Sequence, residues 1–304
     1  MSTTNTGSSS ARSRTEAPRA RLRRARSRPE EVAGALAALG IRPSRRWGQS
    51  FLHDPFVVDA EVALLNPAAP EAILEIGGGL GVLTTALLNR GVGSLCVIEK
   101  DPRLARHLEA LVGPQARVVT GDAVDSPWPE VAAVVGNLPF SAAAPILFRV
   151  FESRGPRGVF LVQREVAGRL SAGPGSRAFG PLTVKAALYG KVESHQVVPA
   201  NAFYPEPAVD GQLISFTPRL GPLQVRDPRA LDRVVRVLFG ARRKQLKHLL
   251  PQLTRRPEPA AELAAAARWP DDWPTRRPET LDVEAFFRLA AHLEIEDRGA
   301  TNET

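Results

Sequence analysis

From residue 72 onward, short apolar runs alternate with longer amphipathic stretches. The runs Ala72–Ile76, Leu95–Ile98, Arg117–Thr120, Val131–Val135 and Val159–Val162 show no regular polar alternation. That is the pattern of strands covered on both faces. Between them, segments 80–90, 102–112, 142–152 and 164–171 carry helical spacing. Strand and helix in strict alternation predict an α/β fold with a doubly wound, Rossmann-like parallel sheet. Two later runs, Val192–Val198 and Gln212–Phe216, read as strands separated by a Pro-rich loop. They are expected to pair as an antiparallel edge of the same sheet. After Pro218 the strands stop. Segments 228–239, 242–250, 258–268 and 281–293 read as helices with Pro-rich connectors, which predicts a small all-helical C-terminal domain.

Before the first strand, Ser27 and Glu30 have capping-box spacing, with Pro29 early in the helix that follows. This helix is expected to end at Gly40. Arg42 to Leu52 reads as a loop, and Asp54-Pro55 opens a second helix that stops before Asn66-Pro67. The expected organisation is a disordered basic tail over 1–28, a cofactor-binding domain over 29–219, a helical RNA-binding domain over 220–295 and a disordered tail over 296–304. The arginine run from Arg19 to Arg28 fits a solubilising tail or a loose RNA-binding arm.

Composition narrows the partners. The formal net charge is +8, and arginine supplies 35 of the 40 basic residues. This favours polyanions, nucleic acid above all, although a GC-rich genome inflates arginine without any binding purpose. No apolar stretch approaches a membrane span and no secretory h-region opens the chain, so a cytoplasmic monomer with no membrane partner is expected. The single cysteine, Cys96, has no disulfide partner, and the five histidines are scattered, so no metal site is expected.

The first strand runs into Glu75-Ile76-Gly77-Gly78-Gly79-Leu80-Gly81. Such a turn lets a ligand approach the backbone and opens a helix whose amides can meet an anionic group. A nicotinamide loop, G-x-G-x-x-G/A, would need a small residue at 82, which is Val82. The observed E-x-G-x-G-x-G is the spacing of S-adenosyl-L-methionine enzymes. Gly77 and Gly79 are therefore expected at the cofactor. Glu99 ends the second strand, where it can accept from ribose hydroxyls. Asp122 follows the third strand and is expected to accept from the cofactor's adenine amine.

The fourth strand ends in Gly136-Asn137-Leu138-Pro139-Phe140. An exocyclic amine of a base is conjugated with its ring and poorly nucleophilic. Two acceptors aimed at its two hydrogens pull the lone pair out of conjugation. The Asn137 side-chain oxygen and the Leu138 or Pro139 carbonyl can serve, and Phe140 can stack on a flipped-out base. The proton leaves only after methyl transfer has acidified the nitrogen, so no strong general base is needed.

With these motifs in place the chain resembles the small-subunit ribosomal RNA adenine N6-dimethyltransferases. The resemblance runs from about Ile41 to Arg219 and weakly on to Leu293. It includes Gly48-Gln49-Ser50-Phe51-Leu52, Gln163-Arg164-Glu165-Val166-Ala167, the loop Ala172 to Gly180, Phe203 to Asp210, and Arg242 to Leu246. It implies dimethylation of two adjacent adenines near the 3′ end of small-subunit (16S) rRNA, with a role in subunit biogenesis. It also implies cofactor contacts from Ser50, Leu52, Gly77, Glu99, Asp122 and Asn137. Ser50 departs from the Asn usual there, Gly78 from a common proline, Phe140 from the commoner Tyr, and Trp47 is bulkier than the usual residue. The alternative is a relative that methylates large-subunit (23S) rRNA and confers macrolide resistance.

For the RNA itself, Phe203 and Tyr204 offer stacking faces. Arg242, Arg243, Lys244 and Lys247, with His248, are expected on one short helix as phosphate contacts or as a solvated basic face.

Overall fold

The computed structural model describes residues 28–44, 47–68, 70–139, 142–253 and 260–301. Five strands run parallel: β2 (Ala72–Ile76), β3 (Ser94–Glu99), β4 (Arg117–Thr120), β5 (Ala133–Asn137) and β6 (Arg157–Gln163), with β4 at the edge and only partly buried. Two antiparallel strands, β7 (Gly190–Val198) and β9 (Gly211–Pro218), complete a seven-stranded sheet of order β4-β3-β2-β5-β6-β9-β7. This is the expected sheet with its expected edge. The order reverses at β2, so the carboxyl ends of β2 and β5 lie side by side at the switch point where α/β sheets bind ligands.

The helices behave as their apolar spacing requires. α1 (Pro29–Ala38) and α2 (Pro55–Leu65) precede the sheet. α3 (Val82–Asn89), α4 (Pro102–Val112), α5 (Ala143–Ser153) and α6 (Arg164–Leu170) follow β2, β3, β5 and β6. Helix α4 buries Leu104, Leu108 and Val112, spaced at four residues, and is capped by Asp101, which accepts from the Arg103 amide. The Arg157–Glu71 ion pair, with Arg157 donating also to the Leu65 carbonyl at 3.0 Å, ties the end of α2 to the far edge of the sheet.

Several expectations need correction. The fourth strand spans 133–137, not 131–135, because Gly136 and Asn137 continue the ladder opposite Phe160 and Leu161. Gly136 therefore acts as a strand residue. The capping acid of α1 is Glu31, which accepts from the Arg28 amide at 3.1 Å; Ser27 lies outside the described residues. Part of the loop before Asp54 is a strand: β1 (Phe51–Leu52) pairs antiparallel with β8 (Phe203–Tyr204). Two residues per strand carry no readable periodicity. α7 (Pro181–Tyr189) is an unexpected helix, begun by Pro181 and burying Val184, Ala186 and Leu188.

In the C-terminal part, α8 (Pro228–Gly240), α9 (Ala260–Ala266) and α10 (Val283–Thr301) are helices, as expected for three of the four segments. Segment 242–250 is not a helix. It holds turns and single 3-10 turns at Leu246–His248 and Leu250–Gln252, and the Leu246 amide bonds to the Arg276 carbonyl instead of continuing a helical ladder. α10 runs beyond 293 into the stretch expected as a tail, since no glycine interrupts it before Gly299. The N-terminal basic tail, 1–27, and residues 302–304 lie outside the described residues. The helices share one core with a face of the sheet, reaching from Leu74 and Phe160 through Phe179 to Phe286 and Leu293.

A Cβ on Gly136 would stand 2.4 Å from the Ile76 carbonyl oxygen of the neighbouring strand. Backbone cannot yield as a side chain can. Gly136→Ala is expected to lower stability by about 1–3 kcal/mol, the range for overpacking, as read from chemical denaturation.

Candidate active site

A cleft open to solvent lies over the carboxyl ends of β2, β3 and β5. Ser50, Leu52, Gly77, Gly79, Glu99 and Asp122 all line it, as do Asn137, Leu138 and Pro139. Residues far apart in sequence thus meet in one place. Phe140 lies outside the described residues.

The glycine turn takes positive φ at Gly77, Gly79 and Gly81, at +77°, +55° and +83°. Only glycine adopts this run without strain. A Cβ on Gly77 would lie 3.7 Å from the Asn137 carbonyl oxygen, so the turn and the Asn-Leu-Pro segment are in direct apposition. At Gly78 a Cβ would meet Val97 at 2.6 Å and Leu108 at 2.8 Å; these side chains fill the space a bulkier residue would need.

Four carboxyls surround this turn. Glu99 accepts from the Gly79 amide and from the Asp101 amide, both at 2.9 Å, and so ties the glycine turn to the start of α4. Burial raises its pKa, and these bonds partly offset the rise. Asp122 accepts from Lys100 at 2.6 Å and from the Val124 amide at 2.9 Å. The Lys100 ammonium holds its carboxyl below the usual range. Glu75 is 1% exposed, and neither carboxylate oxygen has a hydrogen-bond partner. Burial pushes it up to about 8; the nearby Thr84 tempers the shift without a hydrogen bond of good geometry. Glu61, on α2, is fully buried and raised well above the usual range by burial and then by Glu75.

In the Asn-Leu-Pro segment, the Leu138 amide donates to the Leu161 carbonyl at 3.0 Å, and the Pro139 carbonyl accepts from the Ala142 amide at 2.9 Å. Pro139 thereby closes the turn into α5, which favours the Leu138 carbonyl as the backbone acceptor. The Asn137 amide is oriented by its surroundings. With Nδ2 towards Glu61 it donates to Oε2 at 3.1 Å and Oε1 at 3.3 Å; the reverse sets oxygen against oxygen.

Ser50 donates to the Pro205 carbonyl at 2.6 Å. Its hydroxyl proton is spent on joining the β1 segment to the turn after β8. Gln49 donates to Asp101 at 3.3 Å and accepts from the Ser44 amide, which pins the same segment over the cleft. Trp47 lines the cleft beside them. Phe203 also lines it, 5% exposed, whereas Tyr204 points away and packs with the cluster around Leu36, Phe51 and Leu104. Strand alternation requires that division. The expected basic residues do not share a helix face. Arg242 pairs with Glu279 at 3.2 Å and donates to the Arg177 carbonyl, while Arg243, Lys244 and Lys247 are exposed.

Sequence reasoning passed over Glu75, Glu61, Lys100 and Gln49 as functional side chains. Glu61 had a legible signal. It sits four residues after Val57 and four before Leu65, on the buried face of its helix. Among the described residues no cluster of three or more His, Cys, Asp or Glu could hold a metal, and no helix is long and apolar enough to cross a membrane.

This sheet, with its glycine turn and acid-lined cleft, defines a Rossmann-like methyltransferase. The family model of the ribosomal RNA adenine dimethylases matches residues 42–264, and the chain belongs to that family. A ribosomal RNA small subunit methyltransferase A of Nitratidesulfovibrio vulgaris is 37% identical over 82% of this chain and 95% of that protein. One from Kineococcus radiotolerans is 37% identical over 88% of this chain and 95% of its own length. Among solved structures, a dimethyladenosine transferase from Plasmodium falciparum superposes with a TM-score of 0.69 at 23% identity, covering 82% of this chain and 98% of that one. The 23S rRNA methyltransferase ErmE gives 0.63 at 25% identity, covering 80% and 99%.

The raised pKa of Glu75 has a thermodynamic sign. Its folded-state carboxyl keeps a proton that the unfolded chain releases near the usual carboxylate pKa. Stability from this group is therefore complete below about pH 4.5 and is lost as pH rises towards about 8. Glu75→Gln abolishes that loss. In thermal melts of the ligand-free protein, the variant is expected to gain on the parent progressively from about pH 5 to pH 8. A difference that is flat with pH would contradict an ionising Glu75.

Proposed function

We propose that this chain transfers methyl groups from S-adenosyl-L-methionine to the exocyclic N6 of two adjacent adenines near the 3′ end of small-subunit rRNA, acting in subunit biogenesis. The observation that supports the reading is the apposition of Gly77 and Asn137 in one cleft, so that a ligand on the glycine turn would lie next to two oxygen acceptors. The small-subunit target is supported by full-length relatives of that name at 37% identity. ErmE supports the large-subunit alternative through a shared fold at 25% identity.

The cleft suits this cofactor chemically. Glu75 offers two unpartnered, buried oxygens, and Glu99 and Asp122 keep lone pairs beyond their present bonds. A cationic ligand with an ammonium, hydroxyls and an adenine amine meets acceptors along the whole cleft. Bound there, S-adenosyl-L-methionine would supply a methyl group on a positively charged sulfur. Glu99 would hold the ribose hydroxyls, Asp122 the adenine amine, and Gly77 the closest backbone approach, with Leu52 covering the opposite wall.

The chain's own groups then act on the target base. The Asn137 Oδ1 and the Leu138 carbonyl accept from the two amine hydrogens and turn the nitrogen lone pair out of the ring. Pro139 has no amide to compete for that site. Phe203, in the cleft wall, would offer the base a stacking face, the role also expected of Phe140 from the sequence. The proton released after transfer passes to solvent. Arg243, Lys244 and Lys247 contact phosphates, with the site acting as a cytoplasmic monomer.

Asn137→Ala is expected to lower kcat by about 10²–10³-fold, the cost of losing one preorganised polar contact to the reacting group, with rRNA binding within about twofold. The assay is radiolabelled methyl transfer to small subunits that lack the modification, with the label mapped by primer extension. Label in isolated large subunits alone, or full activity of the variant, would overturn the reading.

A further inference from the structure

Beyond the cleft wall, one buried ionisable group has no place in the chemistry above. Glu61 lies on α2, behind Asn137 as seen from the cleft, and is not part of the wall. A fully buried carboxyl between Val57, Val58, Val62 and Leu65 is costly and needs a reason. The Asn137 amide adjoins it, and only the orientation with Nδ2 towards Glu61, at 3.1 and 3.3 Å from its oxygens, avoids setting oxygen against oxygen.

An asparagine amide has two ends of nearly equal size and opposite polarity. If Nδ2 faced the cleft, it would oppose the hydrogens of the target amine. Packing alone cannot discriminate the two orientations. A carboxylate can, because it only accepts.

We propose that Glu61 is a positioning residue for methyl transfer: its carboxylate captures the Asn137 amide nitrogen and thereby turns Oδ1 into the cleft, towards the amine to be methylated. The proposal deepens the role given to Asn137 and rests on it.

The same geometry makes the device sensitive to protons. Once protonated, Glu61 can donate to Oδ1 as readily as accept from Nδ2, and the discrimination is lost. Besides the Asn137 amide, the charged group that acts on it is an acid. Glu75 on β2 repels it directly, and Glu99 on β3 repels Glu75 in turn. Burial and this repulsion raise Glu61 well above the usual carboxylate range. The acid limb of kcat therefore belongs to the coupled Glu61–Glu75 pair and falls well above the range of an exposed glutamate.

Two substitutions test this. Glu61→Met fills the same volume with an apolar chain and removes a buried charge, so thermal stability is expected to hold or rise. Loss of the charge-assisted bond should lower kcat about ten- to a hundredfold, with cofactor affinity by calorimetry and KM for the small subunit within about twofold. Glu61→Gln restores an acceptor for Nδ2 and should recover part of kcat, with the acid limb shifted or reduced. A purely structural Glu61 would instead lower stability and leave kcat and its pH profile unchanged. Wild-type kcat in Glu61→Met overturns the proposal; should that variant not fold, wild-type kcat with an unchanged profile in Glu61→Gln does so. Asn137→Ala in the same assay separates the two claims. If it retains activity, the role of Asn137 fails first. If it is inactive, adding Glu61→Met should cost nothing further, because both act through one amide.

Discussion

The structure depends on two neighbouring strands ending side by side with nothing between them. Gly136 lets β5 press against the Ile76 carbonyl of β2, and Gly77 leaves the Asn137 carbonyl open at the end of that contact. A side chain at either position would wedge the strand ends apart or fill the space between them. Close approach at the switch point is what allows one ligand to touch the glycine turn while its neighbour in the cleft touches the Asn-Leu-Pro segment. The rest of the α/β frame holds that juncture. The Arg157–Glu71 pair fixes the opposite edge of the sheet, and the β1–β8 pairing draws Gly48–Leu52 across the top.

The acids around the juncture divide into two kinds. Glu99 and Asp122 are already satisfied by backbone amides and by Lys100, so their positions are set before any ligand arrives. Such preorganisation spares reorganisation at binding. Glu75 and Glu61 are buried next to other acids, and burial above all raises both. Groups poised in this way are typical of functional sites rather than of inert cores. The cleft thus offers fixed acceptors, Glu99 and Asp122, and a protonation-sensitive one, Glu75, with Glu61 outside its wall.

The sheet was legible because parallel strands buried on both faces read as uninterrupted apolar runs, as in β2, β3, β5 and β6; Arg117–Thr120 is the partly exposed edge strand β4. The cofactor turn was legible because its glycines have a spacing with a conformational cause. The end of the fourth strand was less legible: the apolar run stops at Val135, yet Gly136 and Asn137 continue the ladder, Gly136 at close approach to the Ile76 carbonyl. β1 and β8 were illegible because pairing of two residues rests on tertiary context alone. Segment 242–250 looked helical by charge and leucine spacing, yet the Arg276 carbonyl takes the amide a helix would have used. Glu61 was missed for another reason. A lone acid among valines reads as a solvated position unless its place on the helix wheel is counted.

The electrostatics of the whole molecule separate by distance. A surplus of eight positive charges acts on RNA from outside, at ranges limited by screening to about 10 Å or less in physiological salt. The acids of the cleft act only at contact, where water is scarce. Arg242 shows that the two systems are not interchangeable. It is committed to Glu279 and to the Arg177 carbonyl, and so braces the Gly173–Gly180 loop against the C-terminal part. The exposed Arg243, Lys244 and Lys247 remain available to phosphate. A basic exterior and an acid-lined cleft can coexist because water and salt screen the exterior charges over a short range, while the cleft acids are held by their own local hydrogen bonds.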